Sequence, residues 1–194
     1  MPNLLHRVDD LRMRADVAAL VLVDYQQRLM PAIDDAEEVL RRAGFLAEVA
    51  HILGVPVIGT AQNPDKLGPN LPPVGDQLDR VVAKMTFGAC EGGLDEVLVA
   101  LDTDSDRPRD VVIAGCETHV CLLQTALGLL EAGRRVWVVA DASGSRKAGD
   151  KEAALARLAS AGATVVTAEM VAFEWLRTSD HAQFRAISRL VKEL

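Results

Sequence analysis

Short apolar segments rich in β-branched residues alternate along the chain with longer segments in which apolar residues recur at helical spacing. The first short segment, residues 17–23 (VAALVLV), contains no polar residue, which is typical of a strand buried on both faces of a sheet. The same pattern predicts six strands, at residues 17–23, 55–60, 80–84, 111–114, 136–140 and 164–167.

Helical spacing follows most of these strands. Asp34 and Asp35 are expected to cap a first helix, whose apolar pattern ends at Gly54. Residues 61–77 hold four of the eight prolines and are predicted to form a long irregular segment, which in a compact domain is usually functional or mobile. The other helices are predicted at 94–101, 120–132, 150–161 and 171–176, and in a segment with Phe184, Ile187, Leu190 and Val191.

Strands that alternate with helices predict a three-layer α/β/α fold with a six-stranded parallel sheet, in one domain over residues 1–194. Apolar residues make up 49% and charged residues 25%, as in globular proteins, so disorder is excluded. A net charge of −7 argues against nucleic acid as a partner, because phosphate binding needs clustered Lys and Arg. No secretion signal, membrane span or disulfide framework is recognisable, so we expect a cytoplasmic protein with reduced thiols.

Ligands of an open parallel sheet bind beyond the carboxyl ends of its strands. Asp24 directly follows the first predicted strand, and Lys84 ends the third. Cys121 comes shortly after the fourth, in the first turn of a helix that Thr118 is placed to cap. A thiolate is favoured at a helix N-terminus beside a cation, so Cys121 is a candidate nucleophile. A buried core thiol, a loop carboxylate and a solvated lysine are the structural interpretations that remain open for the three residues.

Other reactive side chains give weaker signals. His119 lies two residues before Cys121 but in the same tight turn, and the other three histidines fall on helices or in the tail. Cys90 and Cys116 are expected to be structural. Neither GxGxxG after the first strand nor GxxxxGK[ST] is present, so we expect no nucleotide cofactor.

Four segments resemble, in order and spacing, the isochorismatase-like cysteine hydrolases: ALVLVDYQ at 19–26, KMTF at 84–87, VVIAGCETHVCLLQTALGLLEAG at 111–133 and VVADASGSR at 138–146. The similarity extends from about residue 17 to residue 178. The loop TAQNPDKLGPN and the terminal FRAISRLVKEL are most similar to the isochorismatase-domain-containing proteins, a branch with poorly defined substrates. The resemblance implies the strand order 3-2-1-4-5-6 and a homo-oligomer, either a dimer or a tetramer.

The resemblance also implies a catalytic Asp-Lys-Cys triad, which here would be Asp24, Lys84 and Cys121. It further implies a cis peptide bond between Cys116 and Glu117, with the backbone N–H groups of Glu117 and Cys121 forming an oxyanion hole. In the implied strand order Lys84 starts two strands away from Asp24, at about 10 Å. Its side chain therefore has to extend across the intervening strand.

These positions imply hydrolysis of a small-molecule amide through a thioester on Cys121. The nicotinamidase branch binds a metal through histidine in the loop after strand two, and this chain has no histidine in that loop, so we expect no metal. A vinyl-ether hydrolase of the isochorismatase type, which does not need the cysteine, remains open, as does a non-catalytic binding or scaffold oligomer. Candidate substrate contacts are Gln26, Gln62, Asn63, Phe87, Thr118 and Arg146.

Overall fold

A six-stranded parallel sheet with the strand order β3-β2-β1-β4-β5-β6 forms the centre of the protein. The computed structural model describes residues 11–102 and 110–194. The sheet confirms the predicted fold class and strand order. Its strands are β1 (Ala18–Val23), β2 (Val57–Gln62), β3 (Arg80–Lys84), β4 (Asp110–Gly115), β5 (Val136–Val139) and β6 (Thr164–Val166).

Eight helices in the described residues connect or follow these strands. They are α1 (Ala36–Leu53), α2 (Pro64–Leu67), α3 (Pro72–Gly75), α4 (Asp95–Leu101), α5 (Leu123–Glu131), α6 (Ala148–Ala161), α7 (Ala168–Leu176) and α8 (Phe184–Lys192). Among residues 11–102 and 110–194, none of them is both long and apolar enough to cross a bilayer. Residues 103–109, between the helix predicted at 94–101 and the fourth predicted strand, lie outside the described residues, as does His6, one of the four histidines.

The sheet is covered on both faces, and β1 shows how. All six of its residues are buried. Leu20 and Leu22 belong to one apolar core, together with residues of α1, α7 and α8. Val21 and Val23 belong to a second core, which includes residues of α4, α5 and α6. The unbroken apolar segment therefore reflects burial on both sides of a central strand.

β3 has its predicted bounds, and the ends of the other strands differ from the predicted ones by one or two residues. β1 begins one residue later because Val17 closes a 3₁₀ turn. β2 lies two residues further along, since the N–H of Val55 still bonds to the carbonyl of Ala50 in α1. β6 ends before Thr167, whose side chain instead caps α7 by accepting a hydrogen bond from the N–H of Met170. β4 is one residue longer at each end than predicted, and β5 is one residue shorter.

Of the predicted helix caps, Asp35 holds its predicted position and Thr118 does not. Asp35 occupies the N-cap position of α1, but its side chain makes no capping hydrogen bond. Thr118 does not cap α5, because the chain first forms a π-helical turn over Thr118–Leu122 and α5 begins only at its end. Cys121 therefore lies within the π-helical turn. The segment 61–77 is more ordered than predicted, since it starts with the end of β2 and contains α2 and α3, each of which begins at a proline.

Candidate active site

Asp24 directly follows the last residue of β1, and its side chain is fully buried. Its backbone is left-handed, with φ 55°, which an L-residue other than glycine rarely adopts. One carboxylate oxygen, Oδ1, accepts a hydrogen bond from the Thr60 hydroxyl at 2.6 Å. The other, Oδ2, accepts from the ammonium of Lys84 at 2.7 Å. Both oxygens of this buried carboxylate are thus held by the protein.

The Lys84 side chain extends from the edge strand β3 across the end of β2 and reaches Asp24, as the strand order predicts. Its ammonium also donates to Oε1 of Gln62 at 2.9 Å and to the carbonyl of Phe87 at 3.1 Å. The Lys84 and Asp24 side chains are 0% exposed, so this is a desolvated ion pair. Three good acceptors use the three N–H donors of the ammonium, which fixes the positive charge in place.

Gly92 leaves the space that the stem of Lys84 occupies. It lies in the π-helical turn Cys90–Leu94, and a Cβ added to it would lie 2.7 Å from the Cβ of Lys84. Real side chains do not approach so closely, so any larger residue must displace one of the two. Gly92 lies just before the segment in which the sequence predicts a helix, at residues 94–101, and nothing in that pattern indicates the contact. Its role depends on a contact between distant elements, which spacing along the chain does not reveal.

The Cys121 thiol is almost fully buried and lies beside the Asp24–Lys84 pair. Burial raises its pKa to about 12; the neighbouring Asp24 carboxylate adds to this effect, and Lys84 opposes it. Desolvation and the carboxylate thus outweigh both the cation and any effect of the helix terminus. At neutral pH the thiol keeps its proton, and an adjacent base has to remove it for the sulfur to act as a nucleophile.

This raised pKa predicts how the cysteine responds to pH. In a Cys90→Ala/Cys116→Ala variant, alkylation of Cys121 by iodoacetamide is expected to accelerate by roughly tenfold per pH unit between pH 7 and pH 10. Below a pKa of about 12 each unit of pH adds tenfold to the thiolate fraction, so no plateau is expected in that window. Mass spectrometry of the Cys121 peptide gives the rate. A plateau below pH 8 would instead show that Lys84 holds a thiolate in the resting protein.

The peptide bond between Cys116 and Glu117 is cis, as the resemblance implies. In the described part of the chain, the backbone N–H of Glu117 donates to no oxygen. The hydroxyl of the next residue, Thr118, is buried and also has no partner there. The loop after β5 braces this turn, because the N–H of Thr118 donates to the carbonyl of Gly144 at 2.8 Å. A buried turn beside Cys121 thus keeps polar groups available for a ligand.

Two of the candidate substrate contacts form hydrogen bonds within the protein. The buried side chain of Gln26 clamps the loop after β2: it accepts from the N–H of Gln62 at 2.9 Å and donates to the carbonyls of Gln62 and Gly68. The Gln62 side chain accepts from Lys84 and donates to the carbonyl of Met85 at 2.8 Å. Their amide groups therefore position the loop and the ammonium.

The remaining candidates lie around these residues. Asn63 has a left-handed backbone and follows β2, where its N–H bonds to the carbonyl of Lys84. Phe87 contributes its carbonyl to Lys84, while its ring is about half exposed. Arg146 is largely exposed and forms an ion pair with Glu117, Nε to Oε2 2.7 Å. A substrate that reached Arg146 would meet a guanidinium already shared with this carboxylate.

None of the described histidines contacts the Asp24–Lys84 pair. His119 bonds to the hydroxyl of Ser145 through Nδ1 at 3.0 Å, although it lies in the same turn as Cys121. In residues 11–102 and 110–194, no three His, Cys, Asp or Glu side chains are grouped as metal ligands. Thr60 was missed by the sequence analysis. Thr60 could have been found because it is a hydroxyl residue at the end of the second predicted strand, at the edge of the sheet where Asp24 also lies.

Comparison with known proteins gives the family of the chain. The isochorismatase domain matches residues 18–170 of the chain. The chain belongs to the isochorismatase family. Isochorismatase domain-containing protein 2A of Mus musculus is 35% identical over 185 residues, which cover 94% of this chain and 86% of the mouse protein.

Solved structures share the fold across nearly the whole chain. MAR1 ribonuclease from Caenorhabditis elegans superposes with a TM-score of 0.86 at 30% identity, covering 93% of this chain and 92% of its own. YcaC from Pseudomonas aeruginosa, solved with hexane-2,5-diol and covalent acrylamide, gives 0.80 at 27% identity, with coverage of 94% and 96%. YcaC from Escherichia coli, described as an octameric hydrolase of unknown specificity, gives 0.78 at 26% identity, with coverage of 95% and 96%.

Proposed function

We propose that this member of the isochorismatase family is a metal-independent cysteine hydrolase that cleaves the amide (C–N) bond of a small molecule. The observation that carries the proposal is the desolvated Asp24–Lys84 pair beside the protonated Cys121 thiol. A buried thiol with a raised pKa needs a base in contact with it, and Asp24 is the carboxylate that interacts with it. The loop after β2 has no histidine to offer a metal.

In the first step, Asp24 takes the proton of the Cys121 thiol as the sulfur attacks the amide carbonyl. Protonation removes the carboxylate charge that raises the thiol pKa, while the positive charge of Lys84 stays and stabilises the negative charge formed. The carbonyl oxygen becomes an oxyanion, to which the unpartnered N–H of Glu117 and the N–H of Cys121 donate. The C–N bond then breaks, and Asp24 returns the proton to the departing nitrogen.

In the second step, Asp24 removes a proton from water, and the resulting hydroxide attacks the thioester carbonyl. The C–S bond breaks, the acid product leaves, and the proton passes back to the sulfur of Cys121. Asp24 thus serves as base and acid in turn. Its two hydrogen bonds hold the buried carboxylate in one orientation for both roles. Lys84 supplies the positive charge beside the sulfur in both steps, held in place by its hydrogen bonds to Asp24, Gln62 and Phe87.

Two related structures support parts of this proposal. YcaC from P. aeruginosa carries covalent acrylamide, an electrophilic amide, which is consistent with a nucleophile in a protein of the same fold. YcaC from E. coli is an octamer, and we propose that this chain also associates with copies of itself, although the number of subunits stays a prediction. A cytoplasmic location and a single domain over residues 1–194 likewise stay predictions.

Acylation of the cysteine tests the proposal. Para-nitrophenyl acetate and para-nitroacetanilide are expected to release their coloured products and to leave an acetyl group on Cys121 of the wild-type protein, found by mass spectrometry after rapid acid quench. Cys121→Ala is expected to lose both signals. Cys90→Ala, which removes a thiol with a similarly raised pKa, is the matched control and should keep them. An adduct confined to Cys90 or Cys116, with turnover intact in Cys121→Ala, would overturn the proposal.

The same variants separate the alternative functions. Vinyl-ether hydrolysis of isochorismate would survive Cys121→Ala and be lost in Asp24→Asn. A binding or scaffold oligomer would carry no acetyl group on Cys121 even in the wild-type protein. Because the C. elegans structure is named a ribonuclease, single-stranded RNA should be assayed beside the two acetyl compounds. RNA cleavage that depends on Asp24 would mean that the substrate bond is a phosphodiester and not an amide. The net charge of −7 favours the small molecule.

A further inference from the structure

Thr60 is part of β2, the strand that lies between β1, which Asp24 follows, and β3, which ends at Lys84. It lies on β2 beside Val23, the residue before Asp24, and beside Val82 of β3, two residues before Lys84. This register places the threonine hydroxyl between the two side chains. Thr60 is fully buried, so its hydroxyl has to find its hydrogen-bond partner inside the protein.

The direction of this hydrogen bond is fixed by the chemistry. An ionised carboxylate can only accept, so Thr60 donates its proton to Oδ1 of Asp24 at 2.6 Å, while Lys84 donates to Oδ2. The carbonyl of Thr60 is in turn held by the side-chain amide of Asn70 at 3.1 Å. Two donors from two different strands therefore define the plane of the carboxylate.

We propose that Thr60 is a positioning residue, which holds the Asp24 carboxylate towards Cys121 and keeps it ionised until the thiol transfers its proton. This inference rests on the proposed function. A hydroxyl that donates to a carboxylate stabilises the charged form, so loss of the hydroxyl makes protonation easier. The group that has to accept a proton from Cys121 would then already be protonated at a higher pH than in the wild type.

The other groups that face Asp24 are Lys84 from β3, the Cys121 thiol from the π-helical turn and the Cys116 thiol at the end of β4. A change at Thr60 alters none of these side chains. Valine has nearly the same shape as threonine without the hydroxyl, and serine keeps the hydroxyl without the methyl group. The two substitutions therefore separate the hydrogen bond from the packing.

The test is the pH dependence of kcat/KM for para-nitrophenyl acetate. Thr60→Val is expected to lower kcat/KM by about 10–100-fold at pH 7 and to move the acidic limb of the profile up by about one pH unit, because the base loses a donor. Thr60→Ser is expected to retain the wild-type limb. Thr125→Val is the matched control, since Thr125 is equally buried but donates to the carbonyl of Cys121, and its limb should not move.

Two outcomes would overturn the inference. A uniform loss of kcat/KM in Thr60→Val with an unmoved acidic limb would mean that Thr60 only supports the structure. An equal loss in Thr60→Ser would assign the effect to the methyl group. If wild-type protein acetylates Cys121 but either outcome is found, only the role of Thr60 fails. If Cys121 is never acetylated, the proposed function fails first.

Discussion

Asp24→Asn is expected to slow hydrolysis of para-nitroacetanilide by about 10²–10⁴-fold and to lower the free energy of unfolding by about 3–5 kcal/mol. Asparagine keeps the size of the side chain and tolerates the left-handed backbone at this position. It removes the negative charge, which leaves the fully buried ammonium of Lys84 without its ionic partner. At this chain length the loss corresponds to a fall in Tm of about 6–20 °C.

Lys84→Met creates the opposite defect, a buried carboxylate whose remaining donor is Thr60. The double variant Asp24→Asn/Lys84→Met removes both charges. We expect it to regain most of the lost stability while staying inactive, because a neutral pair of similar volume needs no compensating charge. Urea denaturation of the four proteins gives the coupling energy, and the colorimetric assay gives their activities.

The two measurements examine separate properties of the pair. Additive losses of stability in the double variant would contradict a desolvated ion pair. Turnover near the wild-type rate in Asp24→Asn would contradict the role of Asp24 as the base. Stability and activity are expected to diverge in the double variant, and this divergence distinguishes a catalytic pair from a purely structural one.

Gly92→Ala is expected to lower kcat/KM for para-nitrophenyl acetate by about 100-fold, since the added methyl group displaces the stem of Lys84. Overpacking of this kind costs about 1–3 kcal/mol, so the protein should remain folded under assay conditions. Circular dichroism and urea denaturation establish the folded state, and initial rates give the loss of activity.

Gly149→Ala provides the matched control. A Cβ at Gly149 meets no atom within 4 Å, and the residue lies in the first turn of α6. The same chemical change there is expected to leave kcat/KM unchanged and to stabilise the helix slightly. Wild-type activity in Gly92→Ala would mean that the Lys84 ammonium keeps its position when the methyl group displaces its side-chain stem. The tight contact between Gly92 and Lys84 would then have no functional role.

Much of the fold followed from the sequence because it depends on local patterns. The unbroken apolar segment of β1 and the left-handed glycines at the ends of α1 and α6 mark where elements begin and end. A parallel sheet then brings the ends of its strands to one rim, so Asp24 and Lys84 could be expected near each other before their contact was known.

The unpredicted features depend on contacts between distant elements. Thr118 looked like a helix cap, but the chain forms a π-helical turn there and leaves its hydroxyl unpartnered. Gln26 is predicted as a ligand contact, and the structure adds that both N–H donors of its amide bind the loop after β2. The protonated state of Cys121 depends on burial beside a carboxylate, which a helix-terminus argument does not include. Each outcome was decided by tertiary neighbours.

The position of Lys84 on β3 has a consequence for how the protein loses activity. In the described part of the chain β3 is the margin of the sheet and has a single neighbouring strand, β2. Marginal strands open by local fluctuations more easily than central ones. Such an opening withdraws the ammonium from Asp24 and removes Val82 from the second apolar core, while the first core keeps all of its residues. We therefore expect heat or denaturant to inactivate the protein by local opening before it unfolds globally, with activity returning on cooling or dilution as the strand closes again.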